Sequence, residues 1–247
     1  MLVRPNYEKA NEVLKTIWRC IERHRQDIRD QWSRFEQQPA SSVDPILHEL
    51  NAELNRIKFV CGALFPHCTG ATDPNTGDIV LNPKLIWDTL KTVHEGSDTQ
   101  LKNCWSTLVD TLLHELIHQA QRDQQPEIFA TYHKEQAIVN AGKSFHYCQA
   151  SSRYEIQAHA YTDATRIRRR LKNSTATLSL DRAKAMICEA NVFCPPNLFY
   201  KELLHGEVLA EAPRILEEYQ STACAYLEEL DKQPEPEMFV PDLFCAG

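Results

Sequence analysis

Apolar residues recur at three- and four-residue steps along most of this chain, the period that puts them on one side of an α-helix. From residue 7 to 38 the stripe Leu14, Ile17, Trp18, Ile21, Ile28, Trp32 and Phe35 predicts one long amphipathic helix, closed by Pro39. A second helix is expected from Asp44, a good N-cap, with Pro45 at its first position, to about Arg56. Residues 58–65 are short and apolar and fit either strand or helix. The Gly-, Pro- and Asp-rich segment 69–78 predicts a loop or hairpin turn, and Ile79-Val80-Leu81 a strand halted by Asn82-Pro83. A helix is then expected over 84–94, and another over 101–122, where Leu108, Leu112, Leu116 and Ala120 share one face. A polar connection occupies 123–150. Helical pattern returns at 153–171, 181–192 and 207–230, with a Ser/Thr-rich break at 173–179 and an extended, proline-bearing tail from Gln233.

These elements make a mostly helical α+β protein with a small sheet near residues 57–82. A length of 247 residues suits one domain: N-terminal helices over 1–56, a core over 57–172, C-terminal helices over 173–232 and a tail over 233–247. Composition changes this picture little. Only 7 glycines favour helices over tight hairpins. A formal net charge of −7 argues against a general nucleic-acid binder, which needs a basic surplus. The first residues lack the apolar stretch of a secretory signal, and no apolar run is long enough for a membrane span, so a cytoplasmic protein with no membrane partner is expected. Oligomeric state is not legible.

The 9 cysteines are odd in number and contain no Cys-x-x-Cys pair, which predicts reduced thiols rather than a disulfide framework. Cys61, His67 and Cys68, or Cys188, Cys194 and His205, match no zinc-knuckle spacing. The basic run Arg166, Arg168, Arg169, Arg170 and Lys172 ends a helix, where cations complement the macrodipole. A solvated helix end is the expected role; contact with nucleic acid or an acidic substrate is the alternative.

The chemistry concentrates at His114-Glu115-Leu116-Ile117-His118. On a helix, positions i and i+4 put both imidazoles on one face, a turn apart, where both can reach one zinc ion. Glu115 can then take a proton from water whose pKa the metal has lowered. Two histidines on an ordinary helix are the plain alternative. Hydrolytic zinc takes three protein ligands, and the third could come from Glu155, His159, His146 or His133. Glu155, His159 and Asp163 share a face at i, i+4 and i+8. Small Ala158, Ala160 and Ala164 would let their helix lie close to the motif helix. His159 could orient a ligand or donate to the oxyanion, Asp163 could receive the outer N–H of a ligating imidazole, and Tyr132, Tyr154 and Tyr161 are further oxyanion donors.

The segment His114-Glu115-Leu116-Ile117-His118-Gln119-Ala120-Gln121, followed by Glu155-Ile156-Gln157-Ala158-His159-Ala160, resembles the gluzincin-type metallopeptidases. It is similar to small peptidases of phages and bacteria, to inner-membrane-associated zinc peptidases and to the ImmA/IrrE-like group. The resemblance covers roughly 79–165. It implies a zincin-like core, Zn2+ held by His114, His118 and Glu155, and a protein or peptide substrate lying along Ile79–Leu81 as the sheet edge. SprT-like proteases take a third histidine from a Gly-His-Gly-x-x-Phe loop, but Ala141 stands where that histidine would be. The expected function is zinc-dependent peptide hydrolysis with Glu115 as base. The alternatives are a zincin-fold binding or regulatory module without activity, and a regulatory protease acting on a DNA-bound protein.

Overall fold

A computed structural model describes residues 2–30, 39–62, 64, 68–73, 76–95, 98–128, 130, 152–172, 179–188 and 212–241. The described residues are mostly helical, with one small sheet. They divide into two compact units, Pro5–Leu116 with Glu237–Gly247, and Met1–Arg4 with Ile117–Pro236.

The first unit opens with α1 (Tyr7–Asp30), capped by the Asn6 side chain, which accepts the Lys9 N–H at 3.0 Å. Leu14, Ile17, Trp18 and Ile21 of the expected stripe are buried, joined by Ala10, Val13 and Cys20. The Trp32 and Phe35 end of that stripe lies outside the described residues. Helix α2 (Pro39–Leu54) packs on α1 and starts earlier than expected, with Pro45 inside it. Pro39 takes the first helical position, where a missing N–H costs nothing, so Asp44 is not the cap. Pro45 merely lacks the bond to the carbonyl four residues back.

A 3-10 turn (Asn55–Ile57) ends at Lys58, whose φ of 60° is left-handed, and leads into β1 (Phe59–Cys61). The ambiguous segment is thus a strand. Strand β2 (Gly70–Thr72) lies within the expected turn region and returns through Gly77, at φ 76°, into β3 (Ile79–Leu81). The sheet order is β1-β3-β2, parallel on the β1 side and antiparallel on the β2 side. Ile79–Leu81 is therefore the central strand, and the edge position expected of it is wrong. Its backbone groups are engaged from both sides, so no peptide can add there. The outer edge of β1 is partly covered as well: the Asn51 amide donates to the Cys61 carbonyl at 2.9 Å and accepts its N–H at 2.6 Å.

Asn82 caps α3 (Pro83–Glu95) by accepting the Lys84 N–H at 2.9 Å, with Pro83 at the first position. Helix α4 (Asp98–Gln124) follows. Its Trp105 meets Trp18 edge-on, with centroids 5.7 Å apart, and donates its indole N–H to the Phe239 carbonyl at 3.1 Å.

The other unit holds the end of α4 with α5 (Arg153–Lys172), α6 (Leu180–Cys188) and α7 (Ala212–Lys232). Helix α7 lies along α5 and also packs on α6. Ile215, Tyr219, Ala223, Tyr226 and Leu230 of α7 are buried, as are Ala158, Ala160, Tyr161 and Ala164 of α5, and the Tyr161 ring meets Tyr226 edge-on at 5.2 Å. After α7, residues 234–241 carry neither helix nor strand. Among the described residues no helix is long and apolar enough to cross a membrane.

Candidate metal centre

The motif falls inside α4, whose stretch from Leu108 to Gln121 is buried almost all round. Leu108, Leu112, Leu116 and Ala120 are buried as expected, but so are Asp110, Thr111, Glu115, His118 and Gln121. A helix can carry that many buried polar side chains only if each finds a partner.

His118 is 3% exposed, and its surroundings fix its orientation. The Gln121 amide nitrogen donates to the Tyr154 carbonyl at 3.0 Å and to Gln157 Oε1 at 2.8 Å. That leaves Gln121 Oε1 as an acceptor, 2.9 Å from His118 Nδ1. Nδ1 therefore carries a proton, and Nε2, on the far side of the ring, is turned toward Glu155. Tyr154 lies flat on the imidazole, with centroids 3.7 Å apart and planes 7° from parallel, which holds the ring in place.

Nε2 of His118 stands 3.6 Å from Glu155 Oε2, and Nε2 of His159 stands 3.8 Å from the same oxygen. Both separations are too long for hydrogen bonds. Two tetrahedral zinc ligands at about 2.0–2.1 Å from the ion would stand roughly 3.3 Å apart. An imidazole nitrogen and a carboxylate oxygen this close are joined favourably by a proton or by a cation between them. The donor set of two imidazole nitrogens and one carboxylate suits a divalent ion of borderline softness. His114 lies half-buried on α4, one turn before His118, on the same helical face.

Glu115 is 4% exposed and is gripped by β2. The Thr72 hydroxyl donates to Glu115 Oε2 at 2.8 Å. Gly70 leaves the room this needs: a Cβ there would stand 2.9 Å from Glu115 Cγ and 2.9 Å from Thr111 Cγ2. The Thr111 hydroxyl also donates to Thr69 at 3.2 Å.

Other expectations fare differently. Asp163 is fully buried but receives the Tyr219 hydroxyl and faces Arg166 at 3.5 Å; the outer nitrogen of His118 is met by Gln121 instead. Tyr161 is fully buried against Tyr226, which removes it as an oxyanion donor. Tyr154 serves as a stacking platform. Tyr132, His133, Ala141 and His146 lie outside the described residues, as do His67, Cys194 and His205. In the basic run, Arg168 pairs with Asp231 at 2.9 Å and Arg169 with Glu235 at 3.5 Å, so these two guanidiniums are matched by acids of the protein itself.

Gln121 could have been found from its place three residues after His118, where a helix brings side chains together. Gly70 and Thr72 carried no such signal, because a contact between residues 43 apart exists only after folding. Comparison with protein-family models, with curated proteins and with solved structures finds no match.

Proposed function

We propose that this chain is a zinc-dependent peptidase, with His114, His118 and Glu155 as the metal ligands and Glu115 as general base. The observation that carries the reading is the approach of His118 Nε2 to Glu155 Oε2 at 3.6 Å, with the ring oriented by Gln121 at Nδ1. Bound zinc would supply a Lewis acid for the scissile carbonyl and lower the pKa of the attacking water. Glu115, three residues before His118 on α4, takes the proton from that water and returns it to the leaving amine. Thr72 holds the Glu115 carboxylate in one orientation until then. Gln121 and Tyr154 keep His118 in the tautomer and plane that coordination requires. His159, 3.8 Å from Glu155 Oε2, would steady the carboxylate or donate to the developing oxyanion. Since β3 is central and Asn51 covers part of β1, a peptide substrate would add along β2 (Gly70–Thr72), the strand that touches Glu115.

The bond from Thr72 to Glu115 also favours a second reading, in which Glu115 anchors β2 and the chain binds metal without cleaving. Glu115→Gln and Glu155→Ala separate the two. Glu115→Gln is expected to keep the zinc content of the unmutated protein by elemental analysis and to lose chelator-sensitive cleavage of a peptide library. Glu155→Ala is expected to hold one zinc fewer per chain than the unmutated protein. Cleavage retained in Glu115→Gln removes the proposed base, and no chelator-sensitive cleavage by the unmutated protein moves the reading to the binding module.

A further inference from the structure

Cys20 and His24 sit one turn apart on α1, and Glu49 reaches them from α2. Their ligand atoms all lie within 4.8 Å of one another. We propose that these three residues form a second metal site, taking a divalent ion of zinc's class and tying α1 to α2. This inference does not rest on the peptidase reading.

The i, i+4 spacing that lets His114 and His118 share a face recurs here with a thiol in place of the first imidazole. Thiolate, imidazole and carboxylate together suit zinc or cobalt and exclude calcium and magnesium, which take oxygen ligands. The burial is graded: Cys20 is 1% exposed, while the His24 and Glu49 side chains are 21% and 34% exposed, so an ion can enter from the solvent side. His24 Nε2 and Glu49 Oε2 are 2.7 Å apart, joined by the proton that a cation would replace.

The surrounding charges are arranged to allow the exchange. Arg23 pairs with Glu49 through Oε1 and with Glu53 at 3.3 Å, which leaves Glu49 Oε2 for the ion. Asp27 stands 3.8 Å from His24 Nδ1, ready to face the N–H when the ring proton moves there from Nε2. Metal binding forms the sulfur–metal bond and releases the Cys20 thiol proton to solvent. No oxidant or reductant is involved. Without metal that thiol stays protonated at neutral pH, because burial pushes its pKa up to about 11, partly opposed by Arg23 and assisted by Glu53.

The test is titration of the full chain with Co2+ under reducing conditions. A thiolate bound to Co2+ gives a charge-transfer band in the near ultraviolet, and His114, His118 and Glu155 contain no thiol, so the band reports only a cysteine site. The band is expected in the unmutated protein, undiminished in Glu155→Ala, and lost in Cys20→Ser. No band in the unmutated protein, or a full band in Cys20→Ser, overturns the proposal. Should Cys20→Ser fail to fold by circular dichroism, His24→Gln and Glu49→Gln take its place. Each is expected to weaken the Co2+ affinity read from that band by about tenfold or more; unchanged affinity in both overturns the proposal.

Discussion

Glu115 has two neighbours on one strand that act in opposite ways. Thr72 donates to its carboxylate at 2.8 Å, and Gly70 contributes only by lacking a side chain. Replacing Thr72 with valine keeps the volume and deletes the donor. A buried carboxylate then loses a partner, which costs about 1–3 kcal/mol. The expected outcome for Thr72→Val is an unfolding free energy in urea lowered by that amount, with zinc stoichiometry unchanged, since no proposed ligand is touched. A midpoint equal to that of the unmutated protein would show that the bond contributes nothing. The partners of Glu115 were invisible in the residue string, because Thr72 has no sequence pattern that marks it as a donor.

At the scale of elements, α4 shows how far a periodic pattern reaches. Its existence and its Leu108–Ala120 face follow from the spacing alone. What the period does not disclose is that the opposite face is buried too, and that its polar side chains form a linked set. Gln121 joins His118 on α4 to Tyr154 and Gln157 on α5. Gln121→Ala removes the acceptor that fixes the His118 tautomer and leaves a cavity beside it. Zinc affinity in competition with a chromophoric chelator is expected to fall about 10- to 100-fold. Unaltered affinity would mean that Tyr154 alone orients the ring. Strand β3 teaches the same lesson: its strand character is local and legible, whereas its central place depends on β1 and β2, from 20 residues earlier to nine residues earlier in the chain.

At the scale of the whole molecule, each unit is closed by a chain segment remote in sequence. Val3 accepts the Tyr226 hydroxyl at 3.0 Å, and Arg4 meets Glu229 at 2.6 Å. In the other unit, the Asn11 side chain accepts the Phe239 N–H at 2.6 Å, and the Phe239 carbonyl takes the Trp105 indole. The Phe239 ring lies edge-on to Trp105 at 6.1 Å. Deleting residues 237–247 is therefore expected to shift tryptophan emission to the red and to destabilise that unit by about 1–3 kcal/mol in urea. Emission and midpoint both unchanged would show that the tail only rests on the surface.

The presence of most helices, the small sheet's location and the His114, Glu115 and His118 triplet were determined by the sequence alone, because hydrophobic period and helical spacing act over a few neighbouring residues. Only the tertiary structure decided which strand is central, which amide fixes His118, what holds Glu115, and that Glu49 comes to Cys20 and His24. Those contacts join residues from different elements, and burial forces polar groups there to choose particular partners. The periodicity of either element by itself contains no information about that choice.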